Sequence, residues 1–405
     1  MTAHNSPPDN QNNIDLAADA HIKIAIIGGG LTGLFTATLL ERSFSESQKL
    51  AAVRMTIFEK SRSVGRLATR YRTDTKTGNN WQWSFGAQFF TAKTNSFNQF
   101  ITPWVNSKLI QPWCAQVINL SSVDEDGQSP QIETKEQWNT QQPRYISTPK
   151  MTSWGRQLAD ELQQTTIQFK TRVAPLAQYS QLKDNSQSAD KQTELFDENG
   201  TSLGLFDWII CTVPNGQAVE LMADSGFSEQ AKIMQPEMLA CYTLMLGWDS
   251  LEVLPETLQQ KPQLAAWDVA YVQHSIVDRI FIEHKKPNHS QLLPSVTIHA
   301  NNEWSQQQVD KDIDEITAQL LAEAKKALNW NEQTAPSQVD CHRWRYASTL
   351  MPLDIEGDEQ PLGLLVDKNN NWIVSGDWCH KGNIESGYLM AEETVKVVVG
   401  AVVNK

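Results

Sequence analysis

An almost unbroken run of β-branched and apolar residues, 22 to 27, opens the patterned part of the chain. A glycine-rich turn at 28 to 30 follows it, and residues 31 to about 44 carry apolar side chains at helical spacing. A second apolar run, 53 to 58, ends at Glu59. Because a strand that is apolar on both faces has to be covered on both, this order predicts a βαβ unit in a parallel sheet.

Later in the chain, strand-like and helix-like segments alternate, separated by polar loops. Strands are predicted at 167–173, 208–213, 242–246, 296–300, 342–346 and 372–374. Helices are predicted at 152–163, 308–328 and 385–399. Polar stretches without a hydrophobic period indicate surface loops without chemistry at about 121–142, 181–202 and 286–294. Strands at the start, middle and end of the chain predict an α/β fold in which a second domain interrupts the first.

The glycines between the first predicted strand and helix fit the spacing G-x-G-x-x-G. In this pattern glycines allow a tight turn, close approach of a pyrophosphate and close packing of helix on strand, while the helix amides face the anion. Glu59, at the end of the second strand, is placed to accept a hydrogen bond from a ribose hydroxyl. A solvated charge at the strand end is the alternative. The residues predicted to bind a dinucleotide here are Gly28, Gly30, Leu31, Thr32, Gly33 and Glu59.

Residues 59 to 69, Glu-Lys-Ser-Arg-Ser-Val-Gly-Arg-Leu-Ala-Thr, resemble the second signature of the FAD-dependent amine oxidase superfamily. The resemblance implies FAD, with Lys60, Arg66 and Leu67 beside it, since an arginine supplies charge-assisted donors to a pyrophosphate. The family usually has two glycines before the arginine, whereas only Gly65 precedes Arg66 here. A basic surface loop is the alternative. No cysteine or histidine lies in a recognised flavin-attachment motif, so non-covalent binding is predicted.

Residues 83 to 93, Trp-Ser-Phe-Gly-Ala-Gln-Phe-Phe-Thr-Ala-Lys, carry a narrower resemblance, to bacterial renalase-like flavoproteins. That family typically shows Asp-His-Gly-Ala-Gln-aromatic-Phe-Thr, so Ser84 and Phe85 replace the usual Asp-His and alter that edge of the pocket. Further matches follow in consistent order to about residue 399, at 144–146, 151–159, 171–173, 211–214, 299–300, 304–305, 342–347, 375–379 and 382–387.

The resemblance implies a discontinuous Rossmann-like FAD-binding domain with an inserted α+β substrate domain, like those of amine oxidases and hydroxybenzoate hydroxylase. The FAD-binding domain is predicted to comprise 22–88, 144–222 and 341–402. The substrate or lid domain is predicted to comprise 89–143 and 223–340. Residues 1–21 are polar, lack the apolar stretch of a signal peptide, and are predicted to be disordered.

Near the C-terminus, Gly376 and Asp377 end a predicted strand, where the carboxylate is placed to accept from a ribityl or ribose hydroxyl. A helix is predicted to begin near Glu385, and its start faces the flavin in the related folds; Ile384 and Glu385 are among the predicted cofactor-binding residues. The partial positive charge at a helix N-terminus would stabilise the anionic edge of a reduced flavin. A solvated aspartate and a helix-opening glutamate are the alternative. Val173 completes the predicted cofactor-binding set.

Period-2 alternation in the strand 342–346 puts His342, Trp344 and Tyr346 on one face and the two arginines on the other. One face could line the flavin cavity; core packing, and arginines that meet acids such as Glu385 or solvent, are the alternatives. The predicted substrate-pocket residues are Gln88, Phe89, His342 and Trp344.

Renalase-like proteins are associated with oxidising isomeric dihydronicotinamide dinucleotides to NAD(P)+, with oxygen as acceptor and hydrogen peroxide as product, and the resemblance implies this activity. The residues themselves indicate a flavin oxidase or dehydrogenase in which the cofactor carries the hard step. No catalytic side chain is assigned, because hydride leaves a dihydropyridine without a protein base. The Gln88 amide suits a carboxamide, whereas an ammonium favours a carboxylate or aromatic cage. The alternatives are an amine oxidase acting on a small amine and a non-catalytic flavin-binding sensor.

The composition of the chain limits the classes of partner, metal and compartment that fit it. The charge balance, 34 − 47 = −13, repels phosphate backbones and disfavours nucleic acid. Five dispersed cysteines without a CxxC pair indicate neither a disulfide framework nor a cysteine zinc site, so no metal is predicted and a reducing cytoplasm fits best. The most apolar early segment, 24–40, is broken by four glycines and too short to span a bilayer, so no membrane segment is predicted. NAD versus NADP preference and oligomeric state stay open.

Overall fold

The computed structural model describes residues 21–62, 67–121, 130–179, 191–259, 266–350 and 360–403. The predicted disordered segment lies, apart from His21, outside this described part. The helices are α1 (Leu31–Glu46), α2 (Asn95–Asn106), α3 (Thr152–Asp160), α4 (Asn215–Met222), α5 (Gln230–Ile233), α6 (Asn302–Gln307), α7 (Ile313–Leu328) and α8 (Ile384–Val403). The strands are β1 (Ile22–Ile27), β2 (Val53–Glu59), β3 (Thr69–Thr73), β4 (Asn80–Ser84), β5 (Phe90–Thr91), β6 (Ile110–Pro112), β7 (Gln116–Ser121), β8 (Ile132–Gln137), β9 (Arg144–Ser147), β10 (Thr165–Phe169), β11 (Thr193–Phe196), β12 (Ser202–Phe206), β13 (Trp208–Cys211), β14 (Glu237–Gly247), β15 (Val269–Gln273), β16 (Val277–Ile282), β17 (Ser295–Ala300), β18 (Gln338–Leu350), β19 (Leu365–Asp367) and β20 (Trp372–Val374).

The first sheet has six strands in the order β10-β2-β1-β13-β20-β19. Its first five strands are mutually parallel, and β19 pairs antiparallel with β20. Alternate side chains of β1 enter two different cores, Ile24 and Ile26 against helices α1 and α8, and Ala25 and Ile27 against the opposite layer. This double burial is the reason for the unbroken apolar run, and it confirms the predicted parallel sheet.

The second sheet has seven strands in the order β18-β14-β17-β16-β15-β7-β8. One face packs on α7: Tyr242 and Leu244 of β14 share a buried cluster with Ile316 and Leu320 of the helix. The intervening residues of the same strands therefore face the opposite side. That side looks toward the first sheet and forms part of the cavity described below.

The structure extends several sequence predictions and corrects others. The strand predicted at 342–346 runs from 338 to 350 and pairs with β14, so the proposed domain boundary at residue 341 falls inside the second sheet. The helix predicted from 308 begins at 313, because Asp312 accepts hydrogen bonds from the amides of the first turn. The prediction that 286–294 is a surface loop without chemistry is wrong at its start, since Lys286 is 4% exposed.

Candidate functional site

A cavity of about 930 Å³ lies between the carboxyl ends of the first sheet's strands and the open face of the second sheet. Ligands of open α/β sheets bind at this edge, beyond the carboxyl ends of the strands. The predicted site residues that line it are Gly28, Gly30, Leu31, Thr32, Glu59, Lys60, Leu67, Gln88, Phe89, Val173, His342, Trp344, Asp377 and Ile384. Three predicted residues do not line it: Gly33, Gly376 and Glu385. Arg66 and Gly65 lie outside the described residues.

The glycine-rich turn has a separate structural reason at each position. Gly28 has a φ of +115°, a conformation that disfavours other residues. A Cβ at Gly33 would overlap the Gly28 carbonyl oxygen, so this glycine lets α1 pack against β1. At Gly30, a Cβ would meet nothing within 4 Å, because the position opens onto the cavity. No side chain among the described residues caps α1, so its first amides are available to an anion.

Glu59 is 8% exposed and holds the turn in place. Its Oε2 accepts a hydrogen bond from the Gly29 amide at 2.8 Å, and its Oε1 accepts from the Ser61 amide at 2.7 Å. The carboxylate also lines the cavity. The sequence pattern indicated only a ribose contact; the structure adds that this acid links the first turn to the chain that follows β2.

On the C-terminal side, the start of α8 borders the cavity. Gly382 has a φ of +67°, and Asn383 Oδ1 accepts from the Ser386 amide at 2.8 Å, which caps the helix. Glu385, which was predicted to bind the cofactor, does not line the cavity: its carboxylate accepts from the Lys93 amide at 2.9 Å and from the amide and hydroxyl of Thr94. Glu385 therefore holds the loop before α2 instead of facing the cavity.

Gly376, also predicted to bind the cofactor, has a packing role. A Cβ there would overlap the indole of Trp378, whose Nε1 donates to the Val213 carbonyl at 2.8 Å. The neighbouring Asp377 does line the cavity and is 8% exposed. The glycine therefore admits a tryptophan that ties this turn to the segment following β13, and the aspartate next to it lines the cavity.

The second sheet contributes a row of residues that neighbour each other across four strands. Arg279 of β16 pairs with His299 of β17, His299 with Thr243 of β14, and Thr243 with His342 of β18. All four line the cavity. Only His342 of this row was predicted from the sequence to line the pocket, because a register between strands far apart in the chain leaves no local signal.

An aromatic cluster of Phe85, His342 and Trp344 forms another part of the lining. The ring of Phe85 stacks on Trp344 with centroids 5.4 Å apart, and its edge contact with His342 is 4.8 Å. Trp344 Nε1 donates to the Phe85 carbonyl at 2.8 Å. Phe85, which replaces the histidine of the family's usual Asp-His pair, thus contributes one of the three rings of this cluster.

The alternation predicted for β18 holds for Arg343, which does not line the cavity, but Arg345 lines it together with Trp344 and Tyr346. Arg343 donates to the Val309 carbonyl at 2.7 Å, and Arg345 pairs with Asp310 at 3.0 Å. Both partners lie between α6 and α7, so neither contact involves Glu385, the acid suggested from the sequence.

A buried polar network lies behind Gln88. Lys286 Nζ donates to Gln88 Oε1 at 2.7 Å and to Glu283 Oε1 at 2.9 Å. Glu283 is fully buried, Lys286 and Gln88 are each 4% exposed, and Gln88 Nε2 contacts the Ser84 carbonyl and His299 Nε2. Glu283 and Lys286 leave no signal in the sequence, because Lys286 lies in a polar stretch without periodicity and Glu283 directly follows the apolar strand β16.

The two histidines of the row are neutral at neutral pH. Burial, with the charges of Arg279 and Lys286, lowers the pKa of His299 to about 3. Burial, with Arg70 and Arg343, lowers the pKa of His342 to about 4. Burial also raises the pKa of the Cys241 thiol in the lining to about 12, so this thiol is not a nucleophile.

In the described part of the chain, no group of three or more His, Cys, Asp or Glu residues could hold a metal ion. None of the helices in that part combines the length and apolar character that crossing a membrane requires.

Comparison with known proteins agrees with the fold. A family model described as an NAD(P)-binding Rossmann-like domain matches residues 26–102, from β1 to α2. A candidate protoporphyrinogen oxidase from Exiguobacterium sp. 255-15 has a similar structure, with a TM-score of 0.62, 13% identity, and coverage of 92% of this chain and 98% of that chain.

Two further solved structures are similar. Wild-type putrescine oxidase bound to putrescine has a TM-score of 0.61 at 10% identity, covering 94% of this chain and 99% of that one. Cyclohexylamine oxidase from Brevibacterium oxydans IH-35A has a TM-score of 0.63 at 11% identity, with coverage of 94% and 99%. At these identities the likeness establishes the fold, which confirms the predicted amine-oxidase-like α/β architecture; the narrower renalase-like resemblance stays a prediction.

Proposed function

We propose that this protein is an FAD-dependent oxidoreductase that takes a hydride from an isomeric dihydronicotinamide dinucleotide and passes the electrons to oxygen. One observation carries the choice of substrate. Among the described residues that the second sheet contributes to the cavity, there is no aspartate or glutamate, whereas Arg279, His299 and His342 are present. This surface suits a flat, neutral ring with an anionic tail better than an ammonium ion.

The residues of the first sheet fit FAD. Gly30 leaves open the space that a pyrophosphate needs, uncapped amides of α1 adjoin it, and Glu59 and Asp377 supply acceptors for hydroxyl groups. The fold is shared with putrescine and cyclohexylamine oxidases. Bound FAD would supply the two-electron chemistry, accepting the hydride and delivering both electrons to oxygen, which with two protons becomes hydrogen peroxide.

We further propose that FAD is held without a covalent bond. Among the described lining residues the only cysteine is Cys241, whose buried thiol is a poor nucleophile. Acid precipitation of the purified protein should therefore release all of the yellow colour to the supernatant. A coloured pellet would contradict non-covalent binding.

The chain's own residues then bind and orient the substrate. The aromatic cluster offers ring faces to the dihydropyridine, and His299 offers a polar group to its carboxamide. Arg279, which pairs with Asp278 at 2.6 Å, adds a guanidinium beside them. No side chain has to take a proton, because the ring nitrogen of the substrate drives hydride departure. The contribution of the protein is to hold the donor carbon close to the acceptor and to exclude water.

An amine oxidase is the second candidate, and a specific observation favours it. The stacked faces of Phe85 and Trp344 could contact a cation, as aromatic cages do. The guanidinium of Arg279 in the same cavity opposes this reading by repelling an ammonium. A non-catalytic flavin-binding sensor is the remaining alternative. A substrate would reduce the flavin of either enzyme but not the flavin of a sensor.

Anaerobic stopped-flow mixing tests the proposal. We expect rapid, saturable bleaching of the flavin by isomeric NAD(P)H, slow bleaching by ordinary β-NADH and none by common monoamines. Admission of oxygen should restore the colour and release hydrogen peroxide. Saturable bleaching by an amine, with the isomers inert, would favour the amine oxidase. A flavin that no reductant of either class bleaches would favour the sensor.

Replacement of Glu59 tests the cofactor site. Glu59→Ala removes an acceptor for ribose and the acceptor of the Gly29 amide, so FAD affinity should fall about tenfold to hundredfold, equivalent to about 1.5 to 3 kcal/mol. Titration of apoprotein with FAD measures the change. Glu41→Ala is the control, because Glu41 is a buried acid that accepts from the Gln163 and Gln164 amides away from the cavity. An unchanged dissociation constant in Glu59→Ala would make Glu59 a purely structural residue.

A further inference from the structure

Lys286 determines which way the Gln88 amide faces. An ammonium group has only donors, so the Gln88 atom that lies 2.7 Å from Lys286 Nζ has to be the amide oxygen. The other partner of Nζ, Glu283 Oε1 at 2.9 Å, opposes the lowering of the Lys286 pKa that burial causes. The charge of Lys286 therefore sets the orientation of the Gln88 amide, whose oxygen and nitrogen would otherwise be interchangeable.

The amide nitrogen of Gln88 consequently faces His299. It contacts the Ser84 carbonyl, the Gly86 carbonyl at 3.4 Å and His299 Nε2 at 3.3 Å. A proton on His299 Nε2 would place one donor against another. The bare nitrogen is therefore Nε2, and the single proton of this neutral imidazole is on Nδ1.

The Nδ1–H group of His299 is open to the cavity. Among the described residues nothing accepts a hydrogen bond from it, and it is not one of the enclosed polar atoms that lack a partner. His299 lines the cavity beside Arg279 and Thr243. The protein thus presents an uncharged donor at the centre of the row.

We infer that Lys286 is a positioning residue which, through Gln88, fixes His299 as the Nδ1–H tautomer, and that this donor selects substrates with a carbonyl acceptor over substrates with an ammonium. Lys286 does not itself line the cavity. The tautomer follows from the contacts that Gln88 makes with Lys286 and His299, together with the neutral state of the imidazole; only the identification of the acceptor as the carboxamide oxygen of a dihydronicotinamide rests on the proposed function. A δ1-protonated imidazole can donate to that oxygen, whereas the opposite tautomer would offer it a lone pair.

The tautomer is measurable by long-range ¹⁵N–¹H correlation spectra of the ¹⁵N-histidine-labelled holoprotein. The chain has eight histidines, and the spectrum of His299→Phe identifies the resonances of His299. We expect the δ1-protonated pattern in the wild type. In Gln88→Glu, a carboxylate replaces the donor amide while still accepting from Lys286, so His299 should change to the ε2-protonated pattern.

Lys286→Met should give a mixture of tautomers, because the Gln88 amide is then free to turn, and Lys286→Arg should restore the wild-type pattern. Lys285→Met is the matched control: this neighbouring lysine donates to the Trp267 carbonyl at 3.0 Å, outside the network, and the pattern should not change. If Lys286→Met fails to fold, the Gln88→Glu and Lys286→Arg spectra still decide the question. An ε2-protonated His299 in the wild type, or no change in Gln88→Glu, would overturn the inference.

Kinetics separate this inference from the proposed function. With isomeric NADH as the probe, His299→Phe and Lys286→Met should each lower kcat/KM for flavin reduction by about tenfold to hundredfold, with FAD still bound, and Lys286→Arg should recover most of it. A δ1-protonated His299 in a protein that no isomer reduces would leave the tautomer established and refute the proposed function and the selectivity. An ε2-protonated His299 in a protein that isomers reduce rapidly would refute the role of Lys286 and leave the proposed function standing.

Discussion

Gly30→Val is expected to give a folded protein without FAD. A Cβ at this position meets no atom within 4 Å, and the backbone of Gly30, with φ −74° and ψ 179°, is compatible with valine. The added side chain would instead occupy the space that the pyrophosphate needs beside the start of α1. We expect at least about a hundredfold loss of FAD affinity, or about 2.7 kcal/mol. The absorption spectrum and circular dichroism of the purified variant measure cofactor and fold separately.

Gly33→Val is the matched comparison. Gly33 lies three residues after Gly30 in the same motif, but a side chain there would disturb the fold and not the space for the cofactor. Its side chain would overlap the Gly28 carbonyl oxygen, which is backbone and cannot move cheaply. We expect destabilisation of about 3 kcal/mol or more, in the upper range for overpacking. If Gly30→Val retained stoichiometric FAD, the phosphate-binding role of the turn would be wrong. If Gly33→Val had the unfolding free energy of the wild type, the tight contact between α1 and β1 would be wrong.

Glu283→Ala is expected to destabilise the protein by about 3 to 5 kcal/mol, the range for removing one partner of a buried ion pair. Glu283 is fully buried, and its Oε1 accepts from Lys286, from the Thr297 hydroxyl at 2.6 Å and from the Ser84 amide at 3.2 Å. The alanine would leave an ammonium without a counter-charge and two donors without an acceptor. The unfolding free energy from denaturant titration measures the loss.

Two controls define the origin of that loss. The double variant Glu283→Ala with Lys286→Met should recover much of the stability, because the unpaired charge is gone. Glu229→Ala breaks a pair with the same three-residue spacing, Glu229 with Lys232 at 2.5 Å, on the surface, and should cost no more than about 1 kcal/mol. Equal losses in Glu283→Ala and Glu229→Ala would show that burial of the pair has no energetic importance.

The glycine turn and the strand and helix beside it were predictable because their signals are local. Gly28, Gly30 and Gly33 lie within one turn, and a strand and a helix adjoin them directly, so the spacing along the chain reports the spacing in the fold. The strand β1 has the predicted limits, and its parallel neighbours follow from its apolar character on both faces. Glu59 was located correctly on the cavity, but its hydrogen bond to the Gly29 amide was not foreseen, since a bond between separate loops leaves no periodic trace.

The C-terminal motif shows the same limit of local sequence signals. Glu385 and Gly376 were assigned to the cofactor because they adjoin a helix start and a strand end. The Glu385 carboxylate binds the amides of Lys93 and Thr94, which lie almost three hundred positions earlier in the chain. The indole of Trp378 occupies the space that a side chain at position 376 would need. Sequence proximity to a motif identified the region, while the direction of each side chain depended on which distant segment packs there.

The sequence by itself determined the βαβ unit, the glycine turn and the faces of individual strands, because these depend on periodicity and on backbone freedom within a few residues. Only the tertiary structure decided which strands are neighbours and in what register. The row of Arg279, His299, Thr243 and His342 exists because four strands far apart in sequence align, and a shift of one residue in any of them would turn its member toward α7. The buried pair behind Gln88 is likewise a product of packing, since a lysine in a polar stretch is normally solvated unless the fold encloses it with an acid.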